Sequence, residues 1–515
     1  MKKIVKNKRG ILLMLALSMV MASCSEEFLD RPIEDGFNID EFYSSDAQVA
    51  ASTNALYGKV WFNFHNKAFY AIGEVGSGNS FSYSSDINSL RELNITTTDP
   101  ELLNAWKSCW AVVAQSNALI NLLPPRVSAS VNPAVVKNTI AEAHFMRALA
   151  YFYLVRLYGP VPIIENNQDY INDPQLNTNR VEDVYTFIEN DLKFAAENLV
   201  AKIRSSSYSD NAHVSQGSAK AVLSKVYLYQ QEYANARLMA EEVINSGEFK
   251  LLGGTAMPSK SFGDLYLIAN NNNEESIVAW QWTTGNYNTG NYSNTQFAYS
   301  TAINNAPYAG VFAPSQDLLA TFEPGDLRRK ETVMLPGDVY PNLPTATGVG
   351  FTVPADINAQ NSGSGIKKYV IGRDGITDAW YGSANNSYVM RYAELLLIHA
   401  EAILAGGAST SDAAALASFN AVRNRAGLGN FPSITFNDIL HERRVELAFE
   451  GDYWFDLGRI PRSQAMAIVA AQNRGDKDNV IFITPDENDF ILPYPSSELI
   501  KNPKLGEAPV PYVFD

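Results

Sequence analysis

Apolar side chains recur at helical spacing along much of the chain. Residues 46–61, 102–123 and 184–199 each place them on one stripe. In the run 132–158, Asn132-Pro133 gives a cap followed by proline at the first helical position, and glycine and proline follow its end. The pattern predicts a succession of capped helices.

Two pairs of predicted helices are joined by short turns. In the first pair, 215–230 and 233–246, small and large residues alternate as they do where the two helices of a tetratricopeptide hairpin interlock. The second pair, 391–404 and 412–425, lies far along the chain from the first. We therefore expect one helical lobe built from two separated parts of the sequence.

The segment between these pairs loses helical periodicity. Residues 270–305 contain ten asparagines, and only 276–282 alternate like a strand. Aromatic residues interleaved with the asparagines argue against disorder. The predicted fold is mostly α, with tetratricopeptide-like hairpins forming a scaffold lobe beside an irregular, loop-rich lobe that contains short strands.

The amino terminus predicts export from the cytoplasm. Residues 1–23 combine five cations, an apolar run too short to span a bilayer, and small residues before Cys24. This arrangement resembles a lipoprotein signal peptide, with Cys24 as the lipid attachment site. We expect the chain to divide into the signal peptide 1–23, an anchored segment 24–44, a first helical part 45–249, an irregular ligand-binding lobe 250–389 and a C-terminal helical part 390–515.

Charge and cysteine content narrow the functions further. The net charge of the chain is −15, and loss of the five cations of the signal peptide would make it −20, which disfavours nucleic acid as a partner. A local basic patch could still attract an acidic polymer, and neutral glycans remain open. Cys109 is the one cysteine left after Cys24, so no internal disulfide is expected.

Four motifs, in order, are similar to those of the SusD/RagB family of outer-membrane lipoproteins. They lie at Cys24 to Pro32, Glu142 to Pro162, Met390 to Ala402 and His441 to Leu457. The resemblance covers nearly the whole mature chain. It implies a surface protein anchored in the cell outer membrane that captures oligosaccharides and docks as a lid on a SusC-like TonB-dependent channel. The resemblance also leaves open that the nutrient is a peptide or another compound.

The charged residues of the third and fourth motifs lie on apolar helical stripes, which favours a structural ion-pair network over catalysis. The chain lacks the H-E-x-x-H, G-x-S-x-G and Walker patterns, so we do not expect an enzyme. No cofactor or metal is expected. A calcium ion near Asn270 to Glu275 would find oxygen ligands, but nothing in the pattern indicates one.

Sugar binding needs aromatic faces for stacking, with amides and hydroxyls beside them. The loop 79–83, the segment 282–299 and the stretch 380–386 have this composition. The candidate glycan-binding residues are Phe81, Tyr83, Trp282, Tyr287, Tyr292 and Trp380. The alternative for each is that it packs the core of the irregular lobe.

Two other functions stay open at this point. A secreted glycoside hydrolase needs two carboxylates across the scissile bond, and 55 acidic residues supply many pairs. A tetratricopeptide scaffold that binds proteins or peptides would instead place its aromatics along helix grooves.

Overall fold

A computed structural model describes residues 43–204, 207–284, 288–304, 310–373 and 382–514. The helices carry the signals that the sequence places at their ends. Asn132, which precedes Pro133, accepts a hydrogen bond from the Ala134 N–H. Ser215 caps the helix that begins at Gln216, the first of a helical hairpin, by accepting from the Ser218 N–H. Gly247 ends that hairpin in the left-handed region, at φ 67°.

The α-helices are α1 Asp46–Ala51, α2 Asn88–Glu92, α3 Pro100–Leu122, α4 Pro133–Tyr158, α5 Val181–Asn198, α6 Gln216–Tyr229, α7 Tyr233–Ser246, α8 Ser293–Phe297, α9 Gln316–Leu319, α10 Arg328–Thr332, α11 Tyr392–Leu404, α12 Ala413–Arg425, α13 Phe436–Glu446, α14 Tyr453–Arg459, α15 Arg462–Ala471 and α16 Ser496–Lys501. The strands are β1 Ser80–Phe81, β2 Ser276–Trp280, β3 Ala313–Pro314, β4 Val333–Met334, β5 Val339–Thr345, β6 Gly348–Thr352, β7 Gly365–Ile366 and β8 Ser387–Arg391. Each strand pairs with one other, as β1–β3, β2–β8, β4–β7 and β5–β6.

The predicted fold class is confirmed. Helices α3 to α7 pack each on the next, and α7 packs on α11, the first helix of the second hairpin. The two hairpins α6–α7 and α11–α12 therefore join into one helical stack although a long stretch of sequence separates them. Small buried residues such as Ala219 and Ala236 allow the close approach of the helices.

One predicted helix is shorter than expected. The run 46–61 forms α1 and then two 3-10 turns, Asn54–Tyr57 and Lys59–Trp61. The backbone N–H of Gln281, at the end of β2, donates to Tyr57 O at 2.7 Å, and a Cβ on Gly58 would lie 2.5 Å from Gln281 O. The end of the strand thus lies against Tyr57 and Gly58, in the part of the segment that is not α-helical, which is a contact that local periodicity does not encode.

The charged stripes of the third and fourth motifs form a buried ion-pair network, as the sequence indicates. Arg391 is fully buried and donates to Glu446 at 2.9 Å, to Glu450 at 2.7 Å and to Glu275 at 2.5 Å. Arg425 shares Glu275 and Glu446 with it. Every carboxylate of this set has a guanidinium partner, which is the condition for burying it.

In the part of the chain that the structure describes, no helix is both long enough and apolar enough to cross a membrane.

Candidate functional site

The six aromatic candidates occupy very different positions. Tyr83 is 51% exposed, whereas Phe81, Trp282 and Tyr292 are 1%, 4% and 3% exposed. Tyr287 and Trp380 lie outside the described residues, as does the lipid attachment candidate Cys24.

Trp282 belongs to the core, so a sugar has no ring face to stack on. Its indole N–H donates to Ser387 Oγ at 3.1 Å, and its backbone N–H donates to Asn386 Oδ1 at 3.2 Å. Its ring lies 4.6 Å from the ring of His65, whose burial lowers its pKa to about 3. The ring of Phe62 covers another side, at 6.4 Å.

Tyr292 and Phe81 are packing residues as well. The rings of Tyr292 and Phe62 meet edge to face, with centroids 5.4 Å apart. The rings of Phe81 and Tyr83 also meet edge to face, with centroids 4.6 Å apart. Phe81, Trp282 and Tyr292 are each at most 4% exposed, which favours the alternative of core packing over direct stacking for these three rings.

The asparagines that suggested sugar-bonding amides are largely used inside the fold. Asn385 Nδ2 donates to the carbonyls of Tyr266 and Tyr369, both at 3.1 Å. Asn294 accepts from Ile371 N–H at 2.9 Å, and Asn291 Nδ2 donates to the Asn385 carbonyl at 2.7 Å. The irregular lobe has few β-sheet hydrogen bonds. These side-chain amides therefore form the hydrogen bonds that its buried backbone N–H and C=O groups need.

Tyr83 stands at the surface directly after β1, on a well-fixed backbone. Its N–H donates to Gln360 Oε1 at 2.9 Å, and the preceding Ser82 Oγ donates to Val311 O at 2.8 Å. Its hydroxyl donates to Asp476 Oδ2. The guanidinium of Arg91 lies over one face of the Tyr83 ring, 5.7 Å from its centroid, so the residue has contacts at its backbone, at one ring face and at its hydroxyl.

The groups around Tyr83 come from three distant parts of the chain. Gln360 and Asn361 both adopt left-handed φ values, 49° and 60°, in the turn that brings their side chains to this surface. Asn361 Nδ2 donates to Asp478 Oδ2 at 3.1 Å. Beneath the same turn, Arg474 donates to Gly76 O at 2.7 Å and to the Arg91 carbonyl at 3.0 Å, which ties the C-terminal loop to the loop that carries Tyr83.

Electrostatics fix which partner carries the proton. The hydrogen bond to Asp476 is the main cause that raises the pKa of the Tyr83 hydroxyl. Burial opposes the charge of Asp476, but the hydrogen bonds it accepts from Tyr83 and from nearby amides hold its pKa well below the ordinary value. Burial also lowers the pKa of Arg474 to about 9. Tyr83 is therefore a neutral donor and Asp476 an ionised acceptor at neutral pH.

The larger clefts of the molecule lie elsewhere. A cleft of about 900 Å³ is lined by residues that include Phe262, Phe322 and Leu327, and one of about 540 Å³ lies between the helical hairpins, beside Tyr233, Glu401 and Arg459. Tyr83 does not line either of these two clefts.

The segment considered above for a calcium ion contains one acidic side chain that is already engaged. At Asn270 to Glu275, the Glu275 carboxylate is occupied by Arg391, Arg425 and the Leu252 N–H. Within the described ranges, no group of three His, Cys, Asp or Glu side chains could hold a metal ion.

Of the residues that meet at this surface, Tyr83 is a candidate from the sequence, whereas Gln360, Asn361 and Asp476 are not. The polar run 473–479 is a turn signal, but nothing local connects it with residue 83.

Comparisons with known proteins cover nearly the whole chain. A family model described as the SusD family matches residues 253–510, and a second, described as starch-binding associating with outer membrane, matches 27–228. A protein of Bacteroides ovatus named SusD-like protein is 32% identical, over 99% of this chain and 99% of its own.

Solved structures agree in fold. A crystal structure described as a complex with xylogluco-oligosaccharide is 31% identical with a TM-score of 0.79, and the match covers 91% of this chain and 99% of that one. A laminarin-binding SusD-like protein is 26% identical with a TM-score of 0.70, over 89% of this chain and 98% of that one.

Proposed function

Because this chain belongs to the SusD family, we propose that it is a non-catalytic glycan-binding protein that delivers oligosaccharides to a SusC-like TonB-dependent transporter. Relatives of similar fold include one described with xylogluco-oligosaccharide and one described as laminarin-binding. Their names support a glycan as the ligand of this chain.

The exposed ring of Tyr83 is the observation that carries this proposal. A half-exposed aromatic ring, immobilised at its base and tip, offers a sugar a flat apolar face without a large loss of side-chain entropy on binding. Gln360 and Asn361 lie beside it and are partly exposed. Their amides bond Tyr83 N–H, the Gly310 carbonyl and Asp478, and each amide oxygen and NH₂ group has a second hydrogen-bonding position that a sugar hydroxyl could use. The arrangement supports binding by stacking and hydrogen bonding.

We keep the division of the chain into 45–249, 250–389 and 390–515 as part of the proposal, with one change of emphasis. Tyr83, Gln360 and Asp476 come one from each part. The ligand surface therefore belongs to the junction of the three parts, and the middle part alone does not supply it.

The proposed location is the cell outer membrane, through a lipid on Cys24. The export signal at 1–23 and the family model named for association with the outer membrane support it. A multiply acylated cysteine holds a protein at a membrane far more firmly than one chain does. We expect Cys24→Ser to move the protein from the outer-membrane fraction to the soluble fraction. Retention of the variant in the membrane would contradict the lipid anchor.

Calorimetric titration of residues 25–515 with a panel of oligosaccharides, including xylogluco- and laminari-oligosaccharides, tests the binding function. We expect saturable binding, and a loss of about tenfold or more for Tyr83→Ala, since tenfold corresponds to about 1.4 kcal/mol, near the contribution of a buried aromatic face. Phe194→Ala is the matched control, because Phe194 is 36% exposed on α5 of the helical stack.

Three results would contradict the proposal in different ways. Unchanged affinity of Tyr83→Ala would place the ligand elsewhere on the molecule. Products in the titration mixtures would favour the hydrolase. Binding of peptides with silence across the glycan panel would favour the tetratricopeptide scaffold.

A further inference from the structure

The carboxylate of Asp476 is bound by neutral groups alone. It accepts from the Tyr83 hydroxyl, from the backbone N–H groups of Asp478 and Asn479, both at 2.8 Å, and from Asn479 Nδ2 at 3.0 Å. Among the described residues, no Lys, Arg or His nitrogen comes within 4.0 Å of it. Asp476 is only 3% exposed because Tyr83 and the atoms of its own turn cover it, and it lies near the protein surface, where salt can screen its charge.

The cations near this surface are committed to other partners. Lys477 pairs with Asp478 at 2.6 Å, and Lys67 pairs with Asp86. Arg91 donates to Glu92 at 2.8 Å.

Arg474 is the remaining cation of this region, and it faces the interior. It is 2% exposed and donates to backbone carbonyls and to Gln472. Arg91 lies over the Tyr83 ring, 5.7 Å from its centroid, but Glu92 is its acidic partner. Among the described residues, no cation therefore forms an ion pair with Asp476 at the tip of the ring.

We propose that Asp476 determines the specificity of the Tyr83 surface: it fixes the ring for stacking, and its unpaired charge makes the surface select neutral glycans over glycans that carry carboxylate or sulfate groups. The inference rests on the proposed glycan-binding function of Tyr83. A sugar stacked on the ring lies close to the ring's tip, so an anionic group on that sugar meets the like charge of Asp476, which has no ion-pair partner, while Arg91 at the ring is already paired with Glu92.

A matched pair of ligands tests the selectivity. Each neutral xylogluco- or laminari-oligosaccharide that binds is compared with the same oligosaccharide after oxidation of its primary alcohols to carboxylates. At low salt we expect the oxidised form to bind about tenfold more weakly, which corresponds to about 1.4 kcal/mol. The difference should shrink toward about 1 M salt, where the screening length falls to about 3 Å.

Substitutions of Asp476 separate its charge from its hydrogen bond. Asp476→Asn keeps an oxygen that accepts from the Tyr83 hydroxyl but removes the charge, so we expect near-normal affinity for the neutral ligand and a discrimination reduced to about threefold or less, or about 0.7 kcal/mol. Asp476→Ala removes both and should weaken binding of the neutral ligand as well. Asp173→Asn, which removes the same charge from the exposed loop between α4 and α5, is the control and should leave the discrimination unchanged.

Equal or tighter binding of the oxidised ligand, or discrimination that survives Asp476→Asn, would overturn this inference and leave the proposed function standing. Failure of the neutral ligands to bind at all would instead refute the proposed function, and the inference would fall with it.

Discussion

Charged groups are treated in opposite ways in the helical interior and at the Tyr83 surface. Arg391, which no solvent reaches, is matched by three carboxylates. Asp476 has little exposed area as well, but it lies in a surface turn and has only neutral partners. The difference shows that a cluster of charged residues in this protein is not by itself evidence of a functional site. The charge-rich motifs hold the scaffold together, whereas the surface group that lacks a counter-ion lies beside the exposed aromatic ring.

Among the substitutions that test this contrast, Arg391→Ala should change stability most. It would leave Glu275, Glu446 and Glu450 buried with one fewer cation, and we expect the free energy of unfolding to fall by about 3–5 kcal/mol. Denaturant titration of residues 25–515 measures the change.

Arg237→Ala is the control for Arg391→Ala, because Arg237 forms an ion pair of 2.7 Å with Glu241 at the exposed face of α7. We expect that substitution to cost less than about 0.5 kcal/mol. Equal costs for the two arginines would show that burial does not set the energy of these pairs.

Glu74 provides a pH-dependent test, because it is fully buried and burial raises its pKa to about 7. The folded state holds this proton more tightly than the unfolded chain, whose carboxyl has a pKa of 4.5. The stabilisation is therefore complete below pH 4.5 and is lost as the pH rises through 7. We expect Glu74→Gln to gain about 3 kcal/mol relative to the wild type between pH 4.5 and pH 8.

Urea unfolding of the wild type and Glu74→Gln at several pH values gives this difference directly. If the two stability curves run parallel across the range, Glu74 does not retain its proton in the folded protein.

A smaller effect is expected for Asn385→Ala. The substitution leaves the carbonyls of Tyr266 and Tyr369 without their buried donor and should cost about 1–3 kcal/mol. Asn342→Ala, at an exposed position of β5, should stay within about 0.5 kcal/mol of the wild type. Comparable thermal unfolding of the two variants would mean that the buried amide network contributes little.

The smallest effect on stability, and the sharpest contrast with the interior, is expected for Tyr83→Ala. A ring that is half exposed loses little burial, so its removal should cost less than about 1 kcal/mol while glycan binding falls. Thermal unfolding and titration of one preparation measure both. A large loss of stability would make Tyr83 part of the scaffold.

Local signals account for most of what the sequence predicts correctly. The caps at Asn132 and Ser215 and the turn glycine at Gly247 act within a few residues, so the helices and their hairpins follow from them. The burial of Trp282 was not predictable in this way, because it depends on Ser387 and His65. An aromatic residue in an asparagine-rich segment has the same composition whether it faces a sugar or another ring.

The position of the Tyr83 partners along the chain has a consequence for biogenesis. Gln360 and Asp476 follow Tyr83 by 277 and 393 residues. The surface around Tyr83 is therefore complete only after the C-terminal loop that carries Asp476 has packed against the folded chain. A partly exported or truncated chain has the tyrosine but not the groups that orient it. Under the proposed function, we expect ligand capture only from the finished molecule, and affinity for sugar would then report complete folding.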